Sequence, residues 1–287
     1  QGVSSAASDV YKRQLPNNVV FSNVDASAVT FGGVGNLTFN GQVDLGGATR
    51  TLTVPVLTTV VTLAGGVSGT GSLDKAGNGI LDLVSANSFG GSLTFSGGIT
   101  RVMSLGAVPP TAPLIFNGGD IGLGAGDFVR TLGTGAGQFR STASVFSISA
   151  IGASRTVNMV TPGGMIRMGG PNFAASNLVL NELLSSGDLT VTNAFDFGPY
   201  PLTARRITVG AGAATLQGGL FSTLATNIDF TKSGAGTLTL PMVTRFYANT
   251  LNVENSGTLN LRGPISAGTI TVPDGTLDIF LGNSDLL

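Results

Sequence analysis

One phrase occurs twice in this chain and constrains the fold more than any other feature. It reads LDKAGNGILDL at Leu73 to Leu83 and FTKSGAGTLTL at Phe230 to Leu240. Lys75, Gly77, Gly79, Leu81 and Leu83 answer to Lys232, Gly234, Gly236, Leu238 and Leu240, 157 residues further on. The alternation of apolar and polar residues has the period of a β-strand, and a long-range repeat of strand pattern predicts stacked β units.

Other landmarks recur in the same order. VDLG at Val43 to Gly46 returns as FDFG at Phe195 to Gly198, RTLTV at Arg50 to Val54 as RRITV at Arg205 to Val209, and LIFNGGDI at Leu114 to Ile121 more loosely as ITVPDGTL at Ile270 to Leu277. Their offsets are 152, 155 and 156 residues, a drift that small loop insertions produce. Residues 15–287 therefore read as a solenoid fragment holding roughly 1.7 copies of a unit of about 155 residues. Such a unit is too long for one turn of a solenoid. With turns of roughly 20 to 25 residues the chain makes about a dozen, in a rod of roughly 55 to 60 Å.

Short strand candidates follow one another along the chain: Val19 to Phe21, Val29 to Phe31, Leu37 to Phe39, Val43 to Leu45, Thr51 to Val54 and Val60 to Leu63. Turn residues such as Asn40-Gly41 and Gly46-Gly47 separate them. The one weak helix signal, Asn181 to Ser185, is too short to stand alone. An uncharged run from Thr51 to Leu73 has the length of a membrane span, but Pro55, Gly65, Gly66, Gly69 and Gly71 break it into strands and a loop.

Residues 1–14 are set apart. Ser4 to Gln14, SSAASDVYKRQ, is what one frame of a transposase-type sequencing-library adapter encodes, so this segment is read as non-native and excluded from the fold.

Composition narrows the function. Charged residues are 10% of the chain, against about 25% in an ordinary soluble domain, and there are 44 glycines. The net charge of −1 and the scattered Lys and Arg leave no basic patch for nucleic acid. With no Cys and no His, thiol chemistry, a Ser-His-Asp triad and the commonest general base are excluded. Few aromatics other than Phe remain to girdle a membrane barrel.

The phrase around Lys75, with Asn87, Phe89, Gly91 and Gly98 following it, resembles the autotransporter-associated β-strand repeat: Leu-x-Lys-x-Gly-x-Gly-x-Leu-x-Leu, then Asn-x-aromatic-x-Gly and a final glycine strand. The second copy keeps Phe246 at the aromatic position but has Thr244 in place of Asn and lacks the glycine that follows. Val129 to Met159 also resembles the linking region of large bacterial repeat proteins of this kind. The resemblance implies an all-β chain folded as a right-handed parallel β-helix, secreted and displayed at the bacterial cell surface. It implies a non-catalytic passenger or stalk, structural or adhesin-like, attached to the outer membrane through regions outside this chain. The partners implied are surface polysaccharide or a host or neighbouring cell surface, with a monomeric segment and no cofactor. A β-helical polysaccharide-processing or polysaccharide-binding protein is the alternative.

The charged residues are weighed against that background. Lys75 and Lys232 are read as outward strand positions beside a glycine turn, where charge discourages edge pairing. Asp74, Asp82, Asp120, Asp127 and Asp229 are read as solvated turn carboxylates, and no adjacent acid pair suggests hydrolysis. Arg101, Arg130 and Asp127 are the components that a polysaccharide groove would draw on. The single stretch GGDIGLGAGDF, Gly118 to Phe128, is too irregular for a calcium-binding glycine-aspartate repeat, so no metal site is expected.

Overall fold

The structure is a computed structural model that describes residues 13–21, 27–161, 164–182, 184–197, 204–222, 228–241, 243–245, 247–262 and 266–280. Among these residues every regular element is a β-strand, and every strand pairing is parallel. The strands form a 12-stranded and a 13-stranded sheet, with a three-stranded sheet in the N-terminal half and a four-stranded sheet in the C-terminal half. The chain is a parallel β-helix, as the family resemblance implies.

Register explains why short, alternating strands suffice. Each pairs with the strand one turn away, so inward residues stack into continuous ladders: Leu63, Leu83, Val102, Leu123 and Ala150 form one, and Val61, Leu81, Thr100, Ile121 and Ile148 another. Backbone groups of the strands pair with the strand above or below, and the ladders bury the apolar surface. One turn takes from 18 residues, Thr258 to Thr276, to 34, Arg155 to Leu189. The longest turns lie in the middle and exceed the expected 20 to 25. Eleven spacings in the 12-stranded sheet make the stack about 53 Å long.

The run Thr51 to Leu73 is spread over Arg50–Thr53, Val60–Leu63, Val67–Ser68 and the start of Leu73–Ala76. No helix among the described residues is long and apolar enough to cross a membrane. Within the segment set apart in the sequence, residues 1–12 lie outside the described residues, whereas Arg13 and Gln14 belong to the exposed edge strand Arg13–Leu15.

The path around the stack changes halfway. In the N-terminal half a turn visits the 12-stranded sheet, the three-stranded sheet and then the 13-stranded sheet, as in Leu37–Phe39, Val43–Asp44 and Arg50–Thr53. In the C-terminal half it visits the 12-stranded, the 13-stranded and then the four-stranded sheet, as in Ala204–Val209, Ala213–Leu216 and Leu220–Phe221. The short side has moved from after the 12-stranded sheet to before it. The move is made by Phe128–Leu132 and Gln138–Ser141, which both join the 13-stranded sheet, in reversed spatial order. They overlap only through Thr131 with Gln138 and Leu132 with Phe139, so the sheet steps sideways there.

Aromatic rings fill the core at that step. Phe116 packs at 4.8 Å from Phe95, 4.5 Å from Phe146 and 6.1 Å from both Phe128 and Phe139. Large rings bridge a wider section that aliphatic ladders alone would leave with voids.

Candidate functional site

The repeated phrase surrounds a tight corner. Lys75 is the third residue of the strand Leu73–Ala76, Gly77 to Gly79 turn the chain, and Ile80–Leu83 leaves along the next face. Gly77 has φ 76° and Gly234 φ 78°, a conformation that a side chain strains. A Cβ on Gly79 would stand 2.5 Å from both Val54 Cγ1 and the Val56 carbonyl oxygen, and one on Gly236 would stand 2.6 Å from Val209 Cγ1. Leu81, Leu83, Leu238, Leu240 and Phe89 are all in the core. Asn87 ties three rungs together: its Oδ1 accepts from the Val67 N–H at 2.6 Å and its Nδ2 donates to the Ala107 carbonyl at 2.5 Å. Phe246 lies outside the described residues.

The lysines point inward, which corrects the expectation of outward positions. Lys75 occupies an inward ladder between Leu52 and Phe95, Lys232 one between Ile207 and Val253, and both have no exposed surface. The reason is the corner itself, where several main-chain carbonyls converge within reach of one side-chain ammonium group. Lys75 Nζ donates to the carbonyls of Ala76 at 3.0 Å, Gly77 at 2.8 Å and Gly97 at 3.0 Å, so its three donors are all used. Lys232 Nζ donates to the carbonyl of Gly234 and to that of Gly236 at 2.5 Å. The aliphatic stems pack in the core while the ammonium groups close the corner. Burial brings both amines down to about 8, with Asp74 acting in the opposite direction on Lys75.

Two further buried cations were not singled out in the sequence. Arg50 donates through Nε to the Leu45 carbonyl at 2.8 Å, and Arg205 through Nη2 to the Phe197 carbonyl at 3.1 Å. Each guanidinium thus satisfies the carbonyl just before the glycine of VDLG or FDFG. The recurrence of RTLTV and RRITV was the available signal, but nothing in it distinguished an inward arginine from an outward one.

The phrases share a local path and differ in face. Lys75 lies in the 13-stranded sheet and Lys232 in the 12-stranded one; Arg50 and Arg205 divide in the same way, as do Leu114–Phe116 and Ser266–Thr271. Each landmark has moved by one face of the three-sided section, consistent with the shift at Phe128 to Ser141.

The acids separate into solvated and buried groups. Asp74 accepts from Ser96 Oγ at 2.7 Å on the outer surface, and Asp229, held below the usual range by hydrogen bonds from Thr250 and Asn249, is a surface group. Asp127 accepts from the Thr156 N–H at 2.8 Å. Asp82 and Asp120 contradict the solvated reading, being 8% and 3% exposed. Asp82 is held by Arg101 on the adjacent rung through two contacts of 2.5 Å. Asp120 accepts from Ser147 Oγ at 2.7 Å, and burial raises its carboxyl to about 7 despite that hydrogen bond.

At the sideways step lies a cavity of about 480 Å³, lined by Val102, Leu114, Ile121, Phe128, Asp127 and Arg130 among others. Arg130 spends its guanidinium on the carbonyls of Pro110, Gly137 and Pro109, at 2.5, 3.2 and 3.2 Å. Arg101 is therefore bound on one face, while Arg130 and Asp127 line a different cavity. No group of three or more Asp or Glu suited to a metal occurs among the described residues.

No family model matches the chain, and no solved structure does. In sequence it is 30% identical over 282 residues to the adhesin BmaC autotransporter of Brucella suis biovar 1 (strain 1330), covering 91% of this chain and 8% of that protein. It is 29% identical over 263 residues to outer membrane protein A of Rickettsia rickettsii, covering 88% of this chain and 11% of that protein. The chain thus spans about a tenth of the length of these relatives. It is a parallel β-helix similar, over most of its length, to short segments of an autotransporter adhesin and an outer membrane protein.

Proposed function

We propose that this chain is a stretch of an exported cell-surface solenoid, serving as a stiff stalk and adhesive surface without chemistry of its own. The observation that carries the reading is the uninterrupted stack of parallel strands, taken with the likeness to an adhesin and an outer membrane protein. A rod held by backbone ladders resists bending and repeats its outer polar residues along its length. Weak contacts from such rows add through multivalency. The partners that suit them are surface polysaccharides or the surface of a host or neighbouring cell, and attachment to the outer membrane falls to other parts of a longer protein. The autotransporter-associated repeat remains the family that the corner phrase suggests, and a unit of about 155 residues remains the reading of the four landmarks, which recur in order but on different faces.

Arg130 and Asp127 share a cavity, but Arg101 is paired with Asp82 outside it and Arg130 is bonded to three main-chain carbonyls, which weighs against a polysaccharide-processing groove. Beads coated with this chain test the adhesive reading on polysaccharide-coated and cell-coated surfaces. Retention should rise steeply with coating density and vanish when the chain is unfolded before coupling. Retention equal to that of albumin-coated beads contradicts adhesion, and sustained release of sugar ends from a polysaccharide would favour the enzymatic alternative.

A further inference from the structure

Asp120 begins the strand Asp120–Leu123 on the outer row of the 12-stranded sheet, between Ile99 and Ser147. Its Oδ1 accepts from Ser147 Oγ at 2.7 Å, while Oδ2 is buried with no hydrogen-bond partner. A carboxylate oxygen left in this state carries a substantial desolvation cost, so its position asks for a ligand or a proton. Asp120 lines a notch of about 240 Å³ together with Ser147, Glu182, Asn78 and the glycine corners at Gly98 and Gly118. No Lys or Arg lines it. Two acids thus meet side-chain and main-chain oxygens in one recess, across elements far apart in sequence.

We propose that this notch binds a calcium ion through the carboxylates of Asp120 and Glu182, with Ser147 and the corner carbonyls supplying neutral oxygens. Hard oxygen donors with neither imidazole nor thiolate suit calcium and exclude the softer metals. Two carboxylates place the dissociation constant on the order of 10⁻⁴ to 10⁻³ M, the range of extracellular calcium modules. The site departs from the reading of Asp120 as a solvated turn residue, and it uses one aspartate of the Gly118 to Phe128 stretch without the repeat pattern.

Thermal unfolding of the whole chain at pH 8, stripped of metal and then titrated with calcium to about 5 mM, tests the site. The melting temperature should rise saturably by about 2 to 6 °C, and less with magnesium at the same concentration. Asp120→Asn should raise the metal-free melting temperature at pH 8, since it removes a buried charge, and abolish the calcium response. Glu182→Gln, at a half-buried position, removes a like charge that acts on Asp120, so it should leave the metal-free melting temperature at or above that of the wild type while weakening calcium binding about tenfold or more. An unresponsive wild-type chain, or a response that survives in Glu182→Gln at full affinity, overturns the proposal whether or not Asp120→Asn folds.

Discussion

At the residue scale, the two lysines of the repeated phrase hold corners shut from inside. An ammonium group tolerates this burial because the carbonyls of Ala76, Gly77 and Gly97 surround it and replace its water. Lys75→Met keeps the stem and removes the donors, and should cost about 2 to 4 kcal/mol, read from urea unfolding at pH 7. The pH dependence has a defined sign. The folded amines release their protons near pH 8, whereas the unfolded ones hold theirs to 10.5. Between those values the unfolded chain binds more protons, so stability should rise with pH from 8 to 10.5. Lys75→Met should flatten that rise, and a wild-type chain losing stability steadily over the same interval would contradict buried amines. The sequence marks these lysines by repetition alone. Because a lysine in an alternating strand is ordinarily outward, the need of the corner carbonyls became legible only once the turn was seen in three dimensions.

At the element scale, strand positions were readable and strand destinations were not. Leu37–Phe39 and Val60–Leu63 match their sequence spans, since alternation and flanking turn residues define short strands locally. The sideways step from Phe128–Leu132 to Gln138–Ser141 depends on which strand pairs with which, and no local pattern encodes that. Its support comes from a ring cluster centred on Phe116, which touches rungs on either side of the step. Phe116→Ala should cost about 3 to 5 kcal/mol. Hydrogen exchange should then show the loss of protection concentrated in the strands from Leu93–Phe95 to Val145–Ala150. Loss spread evenly over the whole stack would mean that the step is not a separate weak point. The Asp120 and Glu182 notch belongs to the same lesson, because its acids are 62 residues apart in sequence and meet only through stacking.

At the scale of the whole molecule, the solenoid keeps one face continuous while the other two exchange roles. The 12-stranded sheet runs past the step without interruption, and the short side moves from one flank to the other. Repeated landmarks consequently reappear rotated by one face, a relation that an offset of 157 residues suggests in order but not in orientation. The absence of cysteine makes this directly measurable, since a pair of introduced cysteines can carry spin labels without competition. Val60 and Thr208 stand in one outer row of the 12-stranded sheet, six strand spacings apart and on opposite sides of the step. Double electron–electron resonance between labels at these positions should give one narrow distribution centred near about 29 Å plus the linker contribution. A broad distribution, or one centred well beyond about 40 Å, would contradict a continuous in-register stack.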